Sequence, residues 1–283
     1  MSLRFERLDL SATGLQQVAD LLSEVFPAAG YLSREFLDWS YCANPDGPAC
    51  GFNAFDGTKL AAHYATQPLT AEIDGQPQRG LLSLHTATHP AFRGRGLFPQ
   101  LAEQTYAAAA EAGFHFVVGV SNAASTRGFV DRLGFQHAGA LASRLTFGRA
   151  PLPAKPLVPS FVRRWSEESL RWRLASPRSE YLIEVEARGT RIHAEIGRLR
   201  GLVELGFLAR ELPCKLPAPG ALRPFRLWVG LDPRRPLSSL RHPHLPDALR
   251  PSPLNLIFRD LTGADRRLEP ARVVFQALDF DAF

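Results

Sequence analysis

Residues 81–98 read LLSLHTATHPAFRGRGLF, and this stretch decides the fold. Its first eight residues form a strand ending near Thr88. A loop follows with Arg93-Gly94-Arg95-Gly96, and a helix opens near Phe98. Strand, glycine loop and helix N-terminus together make an anion cradle. Successive backbone N–H groups converge there, and the helix dipole favours negative charge. The glycines permit strained dihedrals and close approach of backbone to ligand. Arg93 and Arg95 add positive charge at the rim.

Working outward, the flanks alternate helix and strand. Leu15, Val18, Leu21, Leu22 and Val25 have helical spacing over 13–26. Ser33 is placed to cap a second helix through Tyr41. Strand-like runs at 50–55, 59–67 and 79–88 are separated by Asp56-Gly57 and Asp74-Gly75, dipeptides that favour tight hairpin turns. Downstream, 98–112 is an alanine-rich helix with Pro99 in its first turn and Gly113 at its end. Phe114–Val120 is continuously apolar, as a strand buried on both faces should be. A short helix over 124–133 closes at Gly134, and a last strand covers 135–147. Pro151, Pro153, Pro156 and Pro159 exclude regular structure over 148–159, which is expected to be a linker. The second half echoes the first: Leu170-x-Trp172 repeats Leu37-x-Trp39, and hairpin strands follow at 181–187 and 191–197. Later strands are expected at 225–231, 254–259 and 273–278. Between 212 and 223, prolines and glycines stand where the first half has its long helix.

The segment His89-Pro90-Ala91-Phe92-Arg93-Gly94-Arg95-Gly96-Leu97 resembles the acetyl-CoA pyrophosphate loop of the GNAT acetyltransferases, whose core is Arg/Gln-x-x-Gly-x-Gly/Ala. Arg93 and Gly96 match it, while Phe98 replaces the usual Gly or Ala. Asn122-Ala123-Ala124-Ser125 through Leu133-Gly134-Phe135 is similar to the family's later motif. The resemblance covers about residues 3–147, and the longer chain looks like bacterial tandem GNAT proteins. It implies an α/β (α+β) fold with a central, mixed, mostly antiparallel sheet flanked by helices, plus a smaller GNAT-like C-terminal unit. The expected division is 1–147 as acetyltransferase domain, 148–159 as linker and 160–283 as a degenerate unit without a cofactor loop. The implied cofactor contacts are Ala87, Thr88, Arg93, Gly94, Arg95, Gly96, Leu97 and Asn122. The family often has a Tyr acting as general acid four residues before the glycine, where this chain has Val130.

An amine acceptor must lose a proton before or during attack, because an alkyl ammonium has a pKa near 10.4. In the family that base commonly lies on the strand entering the loop. Period-two alternation puts Ser83, His85, Ala87 and His89 on one face. His85 is mid-strand with a useful imidazole pKa, and is the candidate base. His89, beside Pro90, is expected to fix the loop.

Composition narrows the classes. Net charge is +5, and only three of the 33 basic residues are lysine (Lys59, Lys155, Lys215), so arginine dominates. Arginine suits an anionic ligand. No aromatic-interleaved basic motif points to nucleic acid. Cys42, Cys50 and Cys214 give no disulfide framework, and no metal-ligand spacing appears. His242 and His244, among prolines, are expected in a solvated loop. No signal peptide and no apolar run of bilayer length are seen, so the expected setting is cytoplasmic. The expected function is transfer of acetyl from acetyl-CoA to a primary amine of a small molecule. An amino sugar or nucleotide-linked amino sugar would suit an arginine-rich cleft, and the protein would act as monomer or homodimer. The alternatives are a non-catalytic acyl-CoA sensor and transfer to a protein or aminoacyl-tRNA.

Overall fold

The computed structural model describes residues 3–196, 201–212, 216–219, 225–238, 240–246 and 252–280. Cys214 and much of the 212–223 segment fall outside the described residues. Strand β1 (Arg4–Arg7) leads into α1 (Ala12–Val25), capped by Ser11, and α2 (Arg34–Tyr41), capped by Ser33. Strands β2 (Cys50–Asp56), β3 (Lys59–Ile73) and β4 (Gln76–Thr88) form a meander. Asp74 and Gly75 both have positive φ between β3 and β4, as a tight hairpin requires. Then come α3 (Leu97–Glu111), β5 (Phe116–Ser121) and α4 (Ala123–Arg127), which runs into a π-helical turn at Gly128–Arg132.

The strand expected over 135–147 is two strands. β6 (Gln136–Ala140) and β7 (Ala142–Phe147) pair with different partners. The second half supplies β8 (Phe161–Arg164), α5 (Glu167–Leu174), β9 (Tyr181–Glu186), β10 (Gly189–Ile196), β11 (Gly201–Leu208), β12 (Phe225–Leu231), β13 (Asn255–Asp260) and β14 (Val273–Gln276).

Among the described residues, all fourteen strands join one mixed sheet, whose main path runs β6-β13-β5-β4-β3-β8-β14-β12-β11-β10-β9. Three pairings are parallel, β4 with β5, β8 with β14 and β11 with β12, and the rest are antiparallel. Helices α1 and α2 pack on one face of the N-terminal sheet, around Leu22, Leu37 and Tyr41. Helix α3 packs on the other, around Tyr64, Leu101 and Tyr106. A third core, with Phe116, Phe161, Val203 and Phe275, spans both halves.

One strand from beyond the proline-rich segment joins the N-terminal part of the sheet. β13, from far beyond it, lies between β5 and β6 and pairs antiparallel with both. The second half repeats the first in order: a helix capped by serine (Ser166), antiparallel strands, then a parallel pair. The two echoed tryptophans meet. Trp39 and Trp172 stack at 4.8 Å, and each indole N–H donates to the other's backbone carbonyl, at 3.1 and 3.0 Å.

Candidate functional site

The site begins where β4 and β5 stop pairing. Their parallel register holds from Gly80/Phe116 to Ser83/Gly119 and goes no further, leaving the β5-facing edge of Leu84–Thr88 outside that ladder. β4 then turns through a short 3-10 segment, Pro90–Phe92, into the Arg93–Gly96 loop. Gly94 and Gly96 are left-handed, with φ of 78° and 69°, a region open to glycine at little steric cost. Gly96 is the N-cap of α3, and no side chain caps that helix, so its first-turn N–H groups face the loop unmasked by the protein's own side chains. Thr88, Arg93, Gly94, Arg95, Gly96, Leu97 and Phe98 line a cleft of about 300 Å³ with Gly128 and Arg132. Arg95 lies over the Phe92 ring, and the Arg93 guanidinium donates to the Thr88 carbonyl, so both cations are held at the rim. Phe98 packs against Phe129 and Tyr64, filling space where the family motif has a small residue.

Two expected contacts are arranged differently. The Ala87 side chain is buried against the α1–α2 layer, so only its backbone faces the splay. Asn122 caps α4 instead of lining the cleft: its Oδ1 accepts from Ser125 N and Oγ, at 2.9 and 3.0 Å. Val130 sits in the π-helical turn, where Phe129 is the buried residue. Arg132, which no motif marked, reaches the cleft from that turn.

The expected common face for Ser83, His85, Ala87 and His89 is broken by a bulge. Ala65 pairs with Leu84 but His63 pairs with Ala87, so two residues of β4 oppose Tyr64. His85 has φ of 48°, unusual for a non-glycine residue. The extra residue turns Ser83 and His85 to opposite faces. Ser83 accepts from the Tyr64 hydroxyl in the α3 layer. His85 turns to α2, edge-on to Phe36 and in reach of Tyr41.

A buried polar chain supports His85. Its Nδ1 is 3.0 Å from the Tyr41 hydroxyl, which is 3.0 Å from His63 Nε2, and His63 Nδ1 is 2.7 Å from Asn53 Oδ1. Burial pushes His63 down to about 3, so its ring is neutral, and holds Tyr41 well above its ordinary range, so it keeps its hydroxyl hydrogen. Sequence reasoning missed these partners. A histidine and an asparagine in otherwise apolar strands were the available signal. His85 also lines a small cavity of about 10 Å³ with Trp39, Leu84, Arg163, Trp172 and Arg173, room for about one water.

His89 fixes the loop as expected. Its Nδ1 accepts from Ala91 N at 3.1 Å, and its Nε2 lies 2.8 Å from a Glu24 carboxylate oxygen. His242 Nδ1 accepts from Ser238 N. Among the described residues no group of His, Cys, Asp and Glu could hold a metal, and no helix is long and apolar enough to cross a membrane.

A glycine loop thus lies between a strand and a helix, beside a parallel pair that parts. The family model described as acetyltransferase (GNAT) domain matches residues 9–138, and this part of the chain is a GNAT domain. No curated protein matches the chain in sequence. Among solved structures, a probable N-acyltransferase from Enterococcus faecalis V583 is similar, with TM-score 0.64 and 10% identity over 92% of this chain and 73% of that one. A GCN5-related N-acetyltransferase from Anabaena variabilis matches at 0.62 and 14%, over 92% and 73%. One from Kribbella flavida matches at 0.58 and 13%, over 91% and 71%. At such identities the likeness is one of fold, and it extends through the second half.

Proposed function

We propose that this protein transfers acetyl from acetyl-CoA to a primary amine of a small molecule. The observation that carries the reading is the uncapped N-terminus of α3 behind two left-handed glycines. It is a cradle of backbone N–H groups with arginines at its rim, suited to a pyrophosphate. Residues Arg93 to Leu97 would hold the pyrophosphate by backbone, with Arg132 at the far wall. The unladdered edge of Leu84–Thr88 offers amide partners to the pantetheine arm. Acetyl-CoA supplies the thioester whose acyl group is transferred.

The acceptor approaches from the α2 face. Its nitrogen attacks the thioester carbonyl, the C–S bond breaks, and the proton lost from nitrogen passes to His85. The cavity beside His85 has room for about one water, so that water carries the proton between them. The departing thiolate is a modest base, with a thiol pKa near 8.5, so its release depends less on an acid at Val130 than an alkoxide's would. The second half, in this reading, is a degenerate copy of the first that walls the acceptor side through Trp172 and Arg163. A sensor that binds acetyl-CoA without turnover is the competing reading, favoured by the absent acid.

The test is calorimetry with acetyl-CoA, then thiol release against a panel of amines that includes glucosamine and a nucleotide-linked amino sugar. Micromolar binding with amine-dependent thiol release supports transfer, and binding with no turnover supports the sensor. No binding would overturn both.

A further inference from the structure

The proline-rich segment is more than a connection. It lies along the second half as a strap, and arginines hold its backbone. Arg235 donates to the Pro151 carbonyl at 3.2 Å, Arg188 to that of Pro153 at 3.0 Å and Arg272 to that of Val158 at 2.8 Å. The Arg234 carbonyl accepts from the amides of Ala154 and Lys155, at 2.9 and 3.1 Å. Between strap and sheet lies a cavity of about 530 Å³. It is larger than the cleft at the glycine loop and within the size range of small-molecule sites.

Its walls have two characters. Buried Trp165 and Phe207, with Leu157 from the strap, supply apolar and aromatic surface. Lys155, Arg163, Arg188 and Arg234 supply positive charge, and the compensation among them is unequal. Arg234 is paired with Asp232, at 2.8 and 3.0 Å. Arg163 stacks over the Trp165 ring, donates to the Asp279 carbonyl at 2.8 Å and is attracted by the Asp279 carboxylate. The oxygens of that carboxylate accept from Trp165 Nε1 and Gln276 N, at 3.1 and 2.7 Å. Among the described residues, no carboxylate pairs with Lys155 or Arg188. Two cations therefore share one cavity wall without a counter-charge, and like charges so placed repel. A phosphate monoester carries about −1.5 to −2 at pH 7, which matches the pair.

The shape of the cavity selects a compact ligand. It borders Phe207, Leu208 and Ala209, just past the point where β11 and β12 stop pairing at Glu204/Trp228. In the first half the corresponding edge, Leu84–Thr88, lies outside the ladder with its neighbour. Here the edge is taken, because Phe207 N donates to Gln276 Oε1 at 2.8 Å. A long arm cannot thread between these strands, whereas a short ligand can lie between strap and sheet.

We propose that this cavity binds a small organic phosphate monoester, with its phosphate at Lys155 and Arg188 and its apolar body against Leu157, Trp165 and Phe207. The site is separate from the glycine-loop cradle and does not rest on the acetyl-transfer reading. The strap is held in place by its own hydrogen bonds, so little ordering opposes binding.

The probe is phenyl phosphate, titrated calorimetrically into the full chain at low salt, with inorganic phosphate, benzoate and phenol as controls. Phenyl phosphate should bind at one per chain, at least tenfold tighter than any control. Lys155 is exposed, so Lys155→Glu should leave the melting temperature unchanged while lowering phenyl phosphate affinity at least tenfold. Gly96→Val should keep that affinity within twofold, which separates this site from the cradle. Affinity lost in Gly96→Val and kept in Lys155→Glu would place the phosphate in the glycine loop and overturn the proposal. Equal affinity for phenyl and inorganic phosphate would remove the apolar half of the site, and benzoate binding as tightly would remove the phosphate half. Either result overturns the proposal, as does no binding at millimolar probe.

Discussion

Replacing Gly96 by valine tests the cradle at its hinge. Gly96 has φ of 69°, and a Cβ there would meet only Gln100 Nε2, at 3.9 Å. Steric exclusion by neighbours is therefore absent, and the perturbation is conformational. Holding an L-residue left-handed costs about 1–2 kcal/mol, and a β-branched one suffers most. The loop can relieve that strain by rotating Gly96 into the ordinary region, which turns the adjacent N–H groups away from the anion. Binding must then restore the left-handed turn, and that cost, about 1–2 kcal/mol, comes out of acetyl-CoA affinity, a loss of roughly tenfold. Because Gly96 is exposed, the fold should survive, and circular dichroism and melting can verify this. Calorimetry then compares acetyl-CoA affinity in wild type and Gly96→Val. A folded variant with unchanged affinity would refute the assignment of this loop to the pyrophosphate.

Three further outcomes are expected. His85→Ala should lower kcat roughly a hundredfold, leave acetyl-CoA affinity intact and abolish the acidic limb of the pH–rate profile, as measured by thiol release. Trp172→Ala removes a nearly buried indole stacked on Trp39 and bonded to its carbonyl, and denaturant titration should show a loss of about 3 kcal/mol or more. Glu184 is held down to about 2 by the paired guanidinium of Arg226, at 2.7 Å on both oxygens. Its folded value lies below the unfolded one, so its stabilisation is whole above about pH 4.5 and lost as pH falls towards 2. Up to about 3 kcal/mol is at stake. Wild type minus Glu184→Gln should show that slope in acid titrations, and a flat difference would exclude the pair as its source.

Local rules made much of the fold readable. Ser33 caps α2 where the hydroxyl signal placed it, and Asp74-Gly75 forms the hairpin that its tolerance of positive φ suggested. The Arg93–Gly96 loop was legible because glycines between a strand and a helix have few other uses. What escaped were features set by distant pairing. The bulge at His85 arises from register against β3, so alternation along β4 alone grouped His85 with Ser83, which lies on the opposite face. The β6–β7 break and the place of β13 depend on which edges are left open elsewhere in the sheet. Tyr41, His63 and Asn53 come from three elements, and no spacing rule joins them.

The position of β13 bears on how the molecule is made. Synthesis delivers β5 by Ser121, but the strand that covers its outer edge starts at Asn255. At ribosomal speeds of about 5–20 residues per second, that edge waits about seven to twenty-seven seconds. Throughout, the apolar ladder of Phe116, Val117 and Val118 lacks its neighbour on that side, as a template for any passing strand. Closure joins residues far apart in the chain, and pairing of such high contact order is slow. Nascent chains arrested short of residue 255 should therefore be protease-sensitive around β5 and β6, and become resistant only after the last tenth of the protein has emerged.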